Sequence, residues 1–488
     1  MNRPHHDQVF LALDIGTSSV RSALFDAKAR RVPQSTASAK YRLRLSADGA
    51  AELDPAVLLR ATRKCLRQTR HLTNQSSLTT AGSCFWHSLL GLNREGKALT
   101  PIYTWADSRC VPDAERLRQK LDERAVQQRT GCMLRASFWP AKLLWLRRTQ
   151  PQIFRRVARW VSPAEWLFEK IFGLRACSHS MASGTGLYNF RQRDWDEEML
   201  EVVRLTSAQL NPLRDRLDNF FPAIGDGAAS NLGSGAAAPG VVAINVGTSA
   251  AVRTICAPKA KLPFGLFRFV VDEKRNLLGG AVSNAGNLHA WCLRELRLSP
   301  NDRKVEKFLC ASAPAASRLT ILPFWVSERA PTWPENLEGV IVGLTQATTA
   351  ADLLRAMTAA VFHRVADIFD ALEKSAGPIE KIIVSGGILH SPASLQILAD
   401  SLGRNFFTTA DPEASLRGAA VHALEQLGYK VPPPKLSRAI RHRPEEADHA
   451  RAQRQRQRKL EELFSRDRAP SASSSATRVS VSRPRVRK

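Results

Sequence analysis

Apolar residues alternate and cluster at both ends of the stretch Val9–Asp26, VFLALDIGTSSVRSALFD. Val9, Leu11 and Leu13 form one run and Val20, Ala23, Leu24 and Phe25 a second, with Gly-Thr-Ser-Ser between them. The pattern predicts strand, tight turn, strand, with Gly16 allowing the sharp reversal. A third strand and a loop follow. Asp54 and Pro55 then start a helix, with Val57, Leu58, Ala61, Cys65 and Leu66 at helical spacing. Two buried strands are predicted on either side of the turn cluster Asn93–Lys97, and Trp86, His87, Trp105, Asp107 and Arg109 fall at their ends. Ligands of open α/β sheets bind at the carboxyl ends of strands.

Residues 111–216 read mainly as packed helices, broken by a small, polar loop at 178–190. The stretch Phe221–Gly240 is rich in Gly and Ala and carries one acid, Asp226, between two glycines. It reads either as a linker whose acid stabilises a turn or as backbone that approaches a ligand closely. At Val241 the opening pattern returns: Asn245-Val246-Gly247-Thr248-Ser249-Ala250 lies over Asp14-Ile15-Gly16-Thr17-Ser18-Ser19, and Arg253 loosely echoes Arg21. Such a repeat predicts two domains of like design, each with a hairpin whose N–H groups and hydroxyls suit a phosphate.

The second half continues with a Gly-rich turn and helix over 276–296, then a loop and strand over 322–344. Ala350–Ser375 is a strongly amphipathic helix with Leu353, Leu354, Met357, Val361, Val365, Ile368, Phe369 and Leu372 on one stripe. A strand, a Gly386-Gly387 turn and a helix follow, and a short strand and a helix of small residues close the domain near Gly428. Glu445–Ser465 is a charged helix with a thin apolar edge. Residues 469–488 are rich in Ser, Arg and Pro and read as disordered.

Length, composition and charge bound this reading further. The chain has 488 residues, enough for two or three domains. It shows no leader-like apolar run and no stretch long enough to span a membrane, so it reads as cytoplasmic with no membrane partner. Its eight cysteines are scattered without a C-x-x-C pair, against a disulfide framework or a zinc site. The net charge is +26, and the segment from Lys435 onward supplies +10 of it. That tail lacks aromatic interleaving and any reading module, so nucleic acid is not expected as a partner. Asp14, a carboxylate at the end of a buried strand, needs a bound partner, and Mg²⁺ is the obvious candidate.

Five motifs in order, LDIGTSSVRSALFD, WADSR, GDGAASNLGSG with NVGTSAAVR, GGAVSNAGN, and SGGILHSP with PEASLRGAA, resemble the FGGY carbohydrate kinases of the actin/hexokinase-like ATPase superfamily. The resemblance runs from about Val9 to Gly428. FWHSLLGL, TWADSR, WPAKLLWLRRTQPQIF, RWVSPAEWLF and SMASGTGLYN look most like the gluconokinase branch.

The resemblance implies an α/β fold of two actin-like (ribonuclease H-like) domains, each a mixed five-stranded sheet flanked by helices, with a cleft between. Residues 1–239 would form the first domain, 240–431 the second, and 432–488 the basic helix and tail. It implies an ATP- and Mg²⁺-dependent sugar or sugar-acid kinase, with gluconate leading and xylulose, ribulose or glycerol as alternatives. Asp226 would be the catalytic base and would also touch the sugar. Asp14 would orient Mg²⁺, through water. Thr17, Ser18, Ser19 and Arg21 match the first phosphate hairpin, and Thr248 and Ser249 the second. Gly286, Gly387 and Ser391 fall at nucleotide contacts. Trp86, His87 and Trp105 fall at the sugar pocket. Ser327-Glu328-Arg329 stands where relatives commonly have Gly-Glu-Arg, and Ser327 is expected to restrict that loop.

The reading from a different class is a non-catalytic actin-like nucleotide-binding scaffold. The intact GDGA loop argues against it. Oligomeric state is not legible, and a homodimer stays open.

Overall fold

The computed structural model describes residues 8–75, 78–299, 302–310, 318–334, 337–409 and 413–467. The Ser/Arg-rich segment 469–488 lies outside the described residues. Among the described residues, no helix is long and apolar enough to cross a membrane.

The opening pattern folds as read. Strand β1 (Phe10–Ile15) pairs antiparallel with β2 (Ser19–Phe25), which pairs with β3 (Ala37–Lys40). β4 (Thr79–Cys84) and β5 (Phe220–Gly225) extend the sheet parallel to β1, in the order β5-β4-β1-β2-β3. β1, β4 and β5 are buried along their whole length, as parallel strands covered on both faces must be. Helix α1 (Pro55–Arg70) begins where Asp54 accepts the Ala56 N–H at 2.8 Å, and it buries Leu58, Ala61, Cys65 and Leu66.

The second sheet repeats this order. β6 (Val241–Val246) and β7 (Ala250–Cys256) form the second hairpin. β8 (Phe267–Val270) and β9 (Asn276–Val282) follow on one side, β10 (Lys381–Ser385) and β11 (Phe407–Thr408) on the other. The order is β8-β9-β7-β6-β10-β11. Five strands match the first sheet, and β8 adds a sixth at the edge beyond the five expected. β9 replaces the Gly-rich turn expected from its sequence. Its glycines are there because a Cβ on Gly279 would meet Val252 O at 2.6 Å, and one on Gly280 would meet Ala330, Ile368 and Leu266 at 2.9 Å.

The Gly/Ala-rich stretch after β5 is likewise not a linker. It is helix α2 (Asp226–Ser234), with every residue after Asp226 buried. Helix α3 (Gly286–Glu295) and the long α4 (Ala350–Ala376) come next. α4 is capped by Thr349, whose hydroxyl accepts the Asp352 N–H while Asp352 receives the Thr349 N–H. α5 (Pro392–Leu402) follows β10, and α6 (Ala414–Gln426) follows β11. α6 crosses the boundary expected at residue 240. Its Leu416, Ala419, Ala420 and Ala423 pack on Ala12, Ala23, Ala81 and Phe221 of the first sheet. It also lies directly on α2: a Cβ on Gly233 would meet Ala414 O at 1.8 Å, and one on Gly418 would meet Ala229 O at 1.7 Å. Small residues are the condition for that approach, which is why α2 shows no helical stripe.

The charged helix α7 (Pro444–Asp467) is not an appendage. It covers the polar face of α4. Arg364 donates to Glu461 at 2.5 Å, Arg454 to Asp370 at 2.6 Å, Arg458 to Asp367 at 2.8 Å, and His363 Nδ1 meets Gln457 Oε1 at 3.0 Å.

Candidate active site

β1, β4 and β5 run parallel, so their carboxyl ends lie side by side. Register puts Asp14 beside Ser83, and Ile15 and Gly225 on either side of Cys84. Asp226 follows directly at the first turn of α2. Two acids from distant parts of the chain therefore share one edge.

Asp14 is almost fully enclosed, at 5 % exposure, and accepts the Ser83 hydroxyl at 2.8 Å. Burial raises its pKa to about 6, against the opposing charge of Arg21. Arg21 itself is ion-paired with Glu413, the residue that starts α6. Among the described residues no cation pairs directly with the Asp14 carboxylate. A buried hard-oxygen donor held by one hydroxyl fits a Mg²⁺ shell in which water supplies the other ligands.

Asp226 is half-buried, and its Oδ1 accepts the Gly227 N–H at 2.8 Å. Burial raises its pKa, and the Arg253 charge, the Gly227 N–H and the Arg329 charge oppose that rise. These two arginines come from the second half of the chain, so the acid sits between both halves.

The hairpin tips are open. Ser18 and Thr248 are exposed and Thr17 and Ser249 half-buried, while Ser19 is buried. In the first tip the Gly16 N–H donates to Ser19 O at 2.9 Å, and the Tyr41 hydroxyl donates to Gly16 O. In the second, the Gly247 N–H donates to Ser249 O at 2.9 Å. The tip is held from behind by α3, where the N–H groups of Gly286 and Asn287 donate to Gly247 O and Thr248 O at 2.9 and 3.1 Å. A Cβ on Gly286 would lie 2.5 Å from Gly247 O, so only glycine fits.

Beside this tip lies a cavity of about 730 Å³, the size of a ligand pocket. Thr248, Gly286, Gly387 and Ser391 all line it, as do the apolar side chains of Leu288, Met357, Val361 and Phe362. Thus four positions expected at the nucleotide meet in one cavity. Ser391 spends its hydroxyl on capping α5, accepting the Ser394 N–H at 3.1 Å and donating to Ser394 Oγ at 2.8 Å. Thr17, Ser18, Ser19, Arg21 and Ser249 are not part of its lining.

The sugar-pocket candidates separate. Trp86 is 5 % exposed, and its indole N–H donates to Ser180 O at 3.0 Å. Its ring fills the space that a Cβ on Gly225 or Gly184 would need, at 1.7 and 2.4 Å. Trp86 therefore sits beneath the start of α2 and holds Asp226 from below, with no polar atom left over. His87 is half-buried at φ +66°, with Nδ1 2.5 Å from Gly184 O. A carbonyl can only accept, so Nδ1 carries the proton and Nε2 is an acceptor. Burial lowers its pKa to about 3, so the ring is neutral. Trp105 is half-buried and lies 5.0 Å below the Arg329 guanidinium. Asp107 and Arg109 pair with each other at 2.6 Å, Arg109 also reaches Glu52 at 2.6 Å, and together they shape their own loop.

Ser327 is exposed and has no left-handed backbone, so serine restricts nothing there. Glu328 still accepts the Ser283 N–H at 2.5 Å and the Asn284 amide at 2.9 Å. Sequence reasoning did not assign roles to Ser83, Arg253 or Arg329. The signal for Ser83 was its repeat: Asn245 of the second hairpin donates to Ser385 at 3.1 Å in the same register. Arg253 was visible only as an echo of Arg21.

Two sheets of like strand order, each with a hydroxyl-tipped hairpin, and an acid held between them define a two-domain actin-like ATPase with a phosphotransfer cleft. The chain belongs to the FGGY family of carbohydrate kinases: the family's N-terminal domain matches residues 9–251 and its C-terminal domain residues 242–426. It is an ATP-dependent carbohydrate kinase. A gluconokinase of Bacillus subtilis (strain 168) is 27% identical over 451 residues, covering 86% of this chain and 87% of the relative. Glycerol and xylulose kinases match as well. Among solved structures, gluconate kinase and ligand-bound xylulose kinase, both from Lactobacillus acidophilus, each superpose with a TM-score of 0.85 at 24% identity, covering 94% of this chain and 98% of theirs.

Proposed function

We propose that this kinase phosphorylates the terminal hydroxyl of gluconate, giving 6-phosphogluconate, with ATP as donor and in the cytoplasm. Asp226 carries the reading. Its carboxylate, half-buried between the two halves of the chain, accepts the proton of the sugar hydroxyl as that oxygen attacks the γ-phosphorus and the bond to the β-phosphate oxygen breaks. Trp86, wedged under Gly225, fixes where that carboxylate points. His87 Nε2 accepts a hydrogen bond from a second sugar hydroxyl, and Trp105 offers an apolar face.

On the donor side, the tips Thr17–Ser19 and Thr248–Ser249 supply hydroxyls and N–H groups to the phosphates. The cavity behind Thr248 receives the nucleoside. Asp14 would hold Mg²⁺, which when bound neutralises charge on the phosphates. Positioning and charge neutralisation make up most of such catalysis.

Gluconate is favoured because two gluconokinases lie among the curated relatives, each 27% identical over most of both chains. A ketose or polyol kinase is the second reading, favoured by glycerol and xylulose kinase relatives at 27% and 24% identity. The two are separated by kcat/KM with ATP for gluconate, xylulose, ribulose and glycerol. Gluconate should lead by at least about tenfold. A ketose or glycerol leading instead replaces this substrate.

A further inference from the structure

The site contains a guanidinium that nothing described so far uses. Arg253 lies on β7 (Ala250–Cys256) with its stem over Gly279 and its head against Gly227, the residue after Asp226. A Cβ on Gly279 would meet Arg253 Cγ at 3.0 Å, and one on Gly227 would meet Arg253 Nε at 2.9 Å. Two glycines thus clear a channel for this side chain. Its Nε is buried and makes no hydrogen bond, and its guanidinium forms no ion pair among the described residues. Arg253 is half-buried, with Asp226 the acid whose charge acts on it, and its buried Nε is left with a hydrogen-bond donor to place.

Its surroundings say which ligand. Arg329 approaches the same space over Trp105. Its Nε donates to Ser283 Oγ and its Nη2 to Val282 O, both at 3.1 Å, so neither bond neutralises its charge. Glu328, the nearest acid in sequence, is taken by Ser283 and Asn284. Glu328 and Asp226 both act on Arg329, and Asp226 acts on Arg253; of these two acids Asp226 must accept a proton. The charges of Lys142, Arg329 and Arg253 all act on His87, and those of Arg253 and Arg329 on Asp226. Arg253 stands four residues along β7 from Ser249, about 13 Å of strand from the hydroxyl tip. Its head is therefore set back from the tip, against the start of α2.

We infer that Arg253, backed by Arg329, is the residue that recognises a carboxylate on the sugar, and that the pocket is built for aldonates over neutral polyols of the same length. A guanidinium binds a carboxylate through two parallel N–H···O bonds, which a CH₂OH group cannot reproduce. The inference rests on the gluconate reading above and supplies its physical basis.

The test compares the full chain with R253Q and R253K on D-gluconate and D-glucitol, which differ only in carboxylate against CH₂OH. Steady-state kinetics are measured for each substrate that turns over, and Kd by calorimetry for both. In R253Q the gluconate KM and Kd should rise about 10- to 100-fold, more than kcat falls, while glucitol affinity is unchanged. R253K should recover part of the loss, with melting temperatures reporting that all three fold. An unchanged gluconate Kd in R253Q overturns the inference and leaves the gluconate reading standing. A fall in kcat alone, equal on every accepted substrate, also overturns it and assigns Arg253 to the transferring phosphoryl group. If the unmodified enzyme neither binds nor phosphorylates gluconate, the substrate reading fails first and takes this inference with it.

Discussion

The two hairpins share a sequence pattern, yet they differ by one residue in register and carry opposite chemistry. Asp14 and Asn245 occupy the same place, each beside a serine on the neighbouring parallel strand, Ser83 and Ser385. One is a buried carboxylate; the other is a neutral amide that donates to its serine. The arginines diverge too. Arg21 is paired across the hairpin with Asp14, whereas Arg253 is paired with Ala243, two residues further from the turn than Asn245. Both arginines lie on the face of their partner acid or amide, but Arg253 stands two residues, roughly 7 Å, further from the tip. Arg21 pairs with Glu413, while the head of Arg253 lies against Gly227, beside Asp226. In the proposed mechanism the duplicated element serves as two tools: one jaw with a negative charge for a cation, one with a positive charge for the substrate.

This asymmetry can be broken one jaw at a time. Replacing Asp14 by Asn makes the jaws alike and should have the largest effect of any change within the hairpins: kcat/KM for ATP falls about 10²- to 10³-fold, roughly 3–4 kcal/mol, with a higher Mg²⁺ requirement in a coupled assay.

Next is the brace of the second half. Glu461 on α7 (Pro444–Asp467) pairs with buried Arg364, which also donates to Ala330 O and Thr332 Oγ in the loop after Arg329. Glu461→Ala leaves that charge unpaired, at about 3–5 kcal/mol, and should lower the melting temperature by roughly 10 °C. Arg329 sits at the head of this loop, so gluconate KM should rise a few-fold as well.

Asp14 also sets a pH dependence. Its pKa is about 6 in the folded chain against 3.8 unperturbed, so the folded form binds the proton more tightly. Stability from this group is full below 3.8 and is lost as pH rises through 6, by up to about 3 kcal/mol. Without metal or nucleotide, Asp14→Asn should therefore melt higher than the parent at pH 8, with the gain shrinking toward pH 4. The least effect is expected from Asn245→Ala: one neutral hydrogen bond, about 0.5–1.5 kcal/mol, and kcat/KM within about tenfold of the parent.

What was legible in the sequence follows the physics of each element. The hairpins stood out because alternating apolar runs around Gly-Thr-Ser have few other solutions. α4 (Ala350–Ala376) stood out because its apolar stripe is long. α2 was hidden: a buried helix that touches α6 (Ala414–Gln426) backbone to backbone must be built from Gly, Ala and Ser, and such a sequence looks like a linker. β9 (Asn276–Val282) was hidden for the same reason, since Gly279 and Gly280 accommodate neighbours and mark no turn. α7 looked like a solvated charged helix, because its partners Asp367, Asp370 and Arg364 lie on the polar face of α4, about 90 residues earlier in the chain. Of the site, Asp14 was readable as an acid in a costly place, and Asp226 as the one acid of a Gly/Ala-rich stretch. Arg253 was not, since how far it stands from the tip depends on the hairpin's register. Trp86 was readable as an aromatic at a strand end, but its role as the floor under Gly225 required the fold.

The most direct test of the account is gluconate-dependent ATP turnover by Asp226→Asn, with gluconate affinity measured in parallel. The account predicts a fall in kcat of about 10³-fold or more, with Kd for gluconate within a few-fold of the parent. Turnover within tenfold of the parent would contradict it, because a cleft that works without this carboxylate does not use Asp226 as its base.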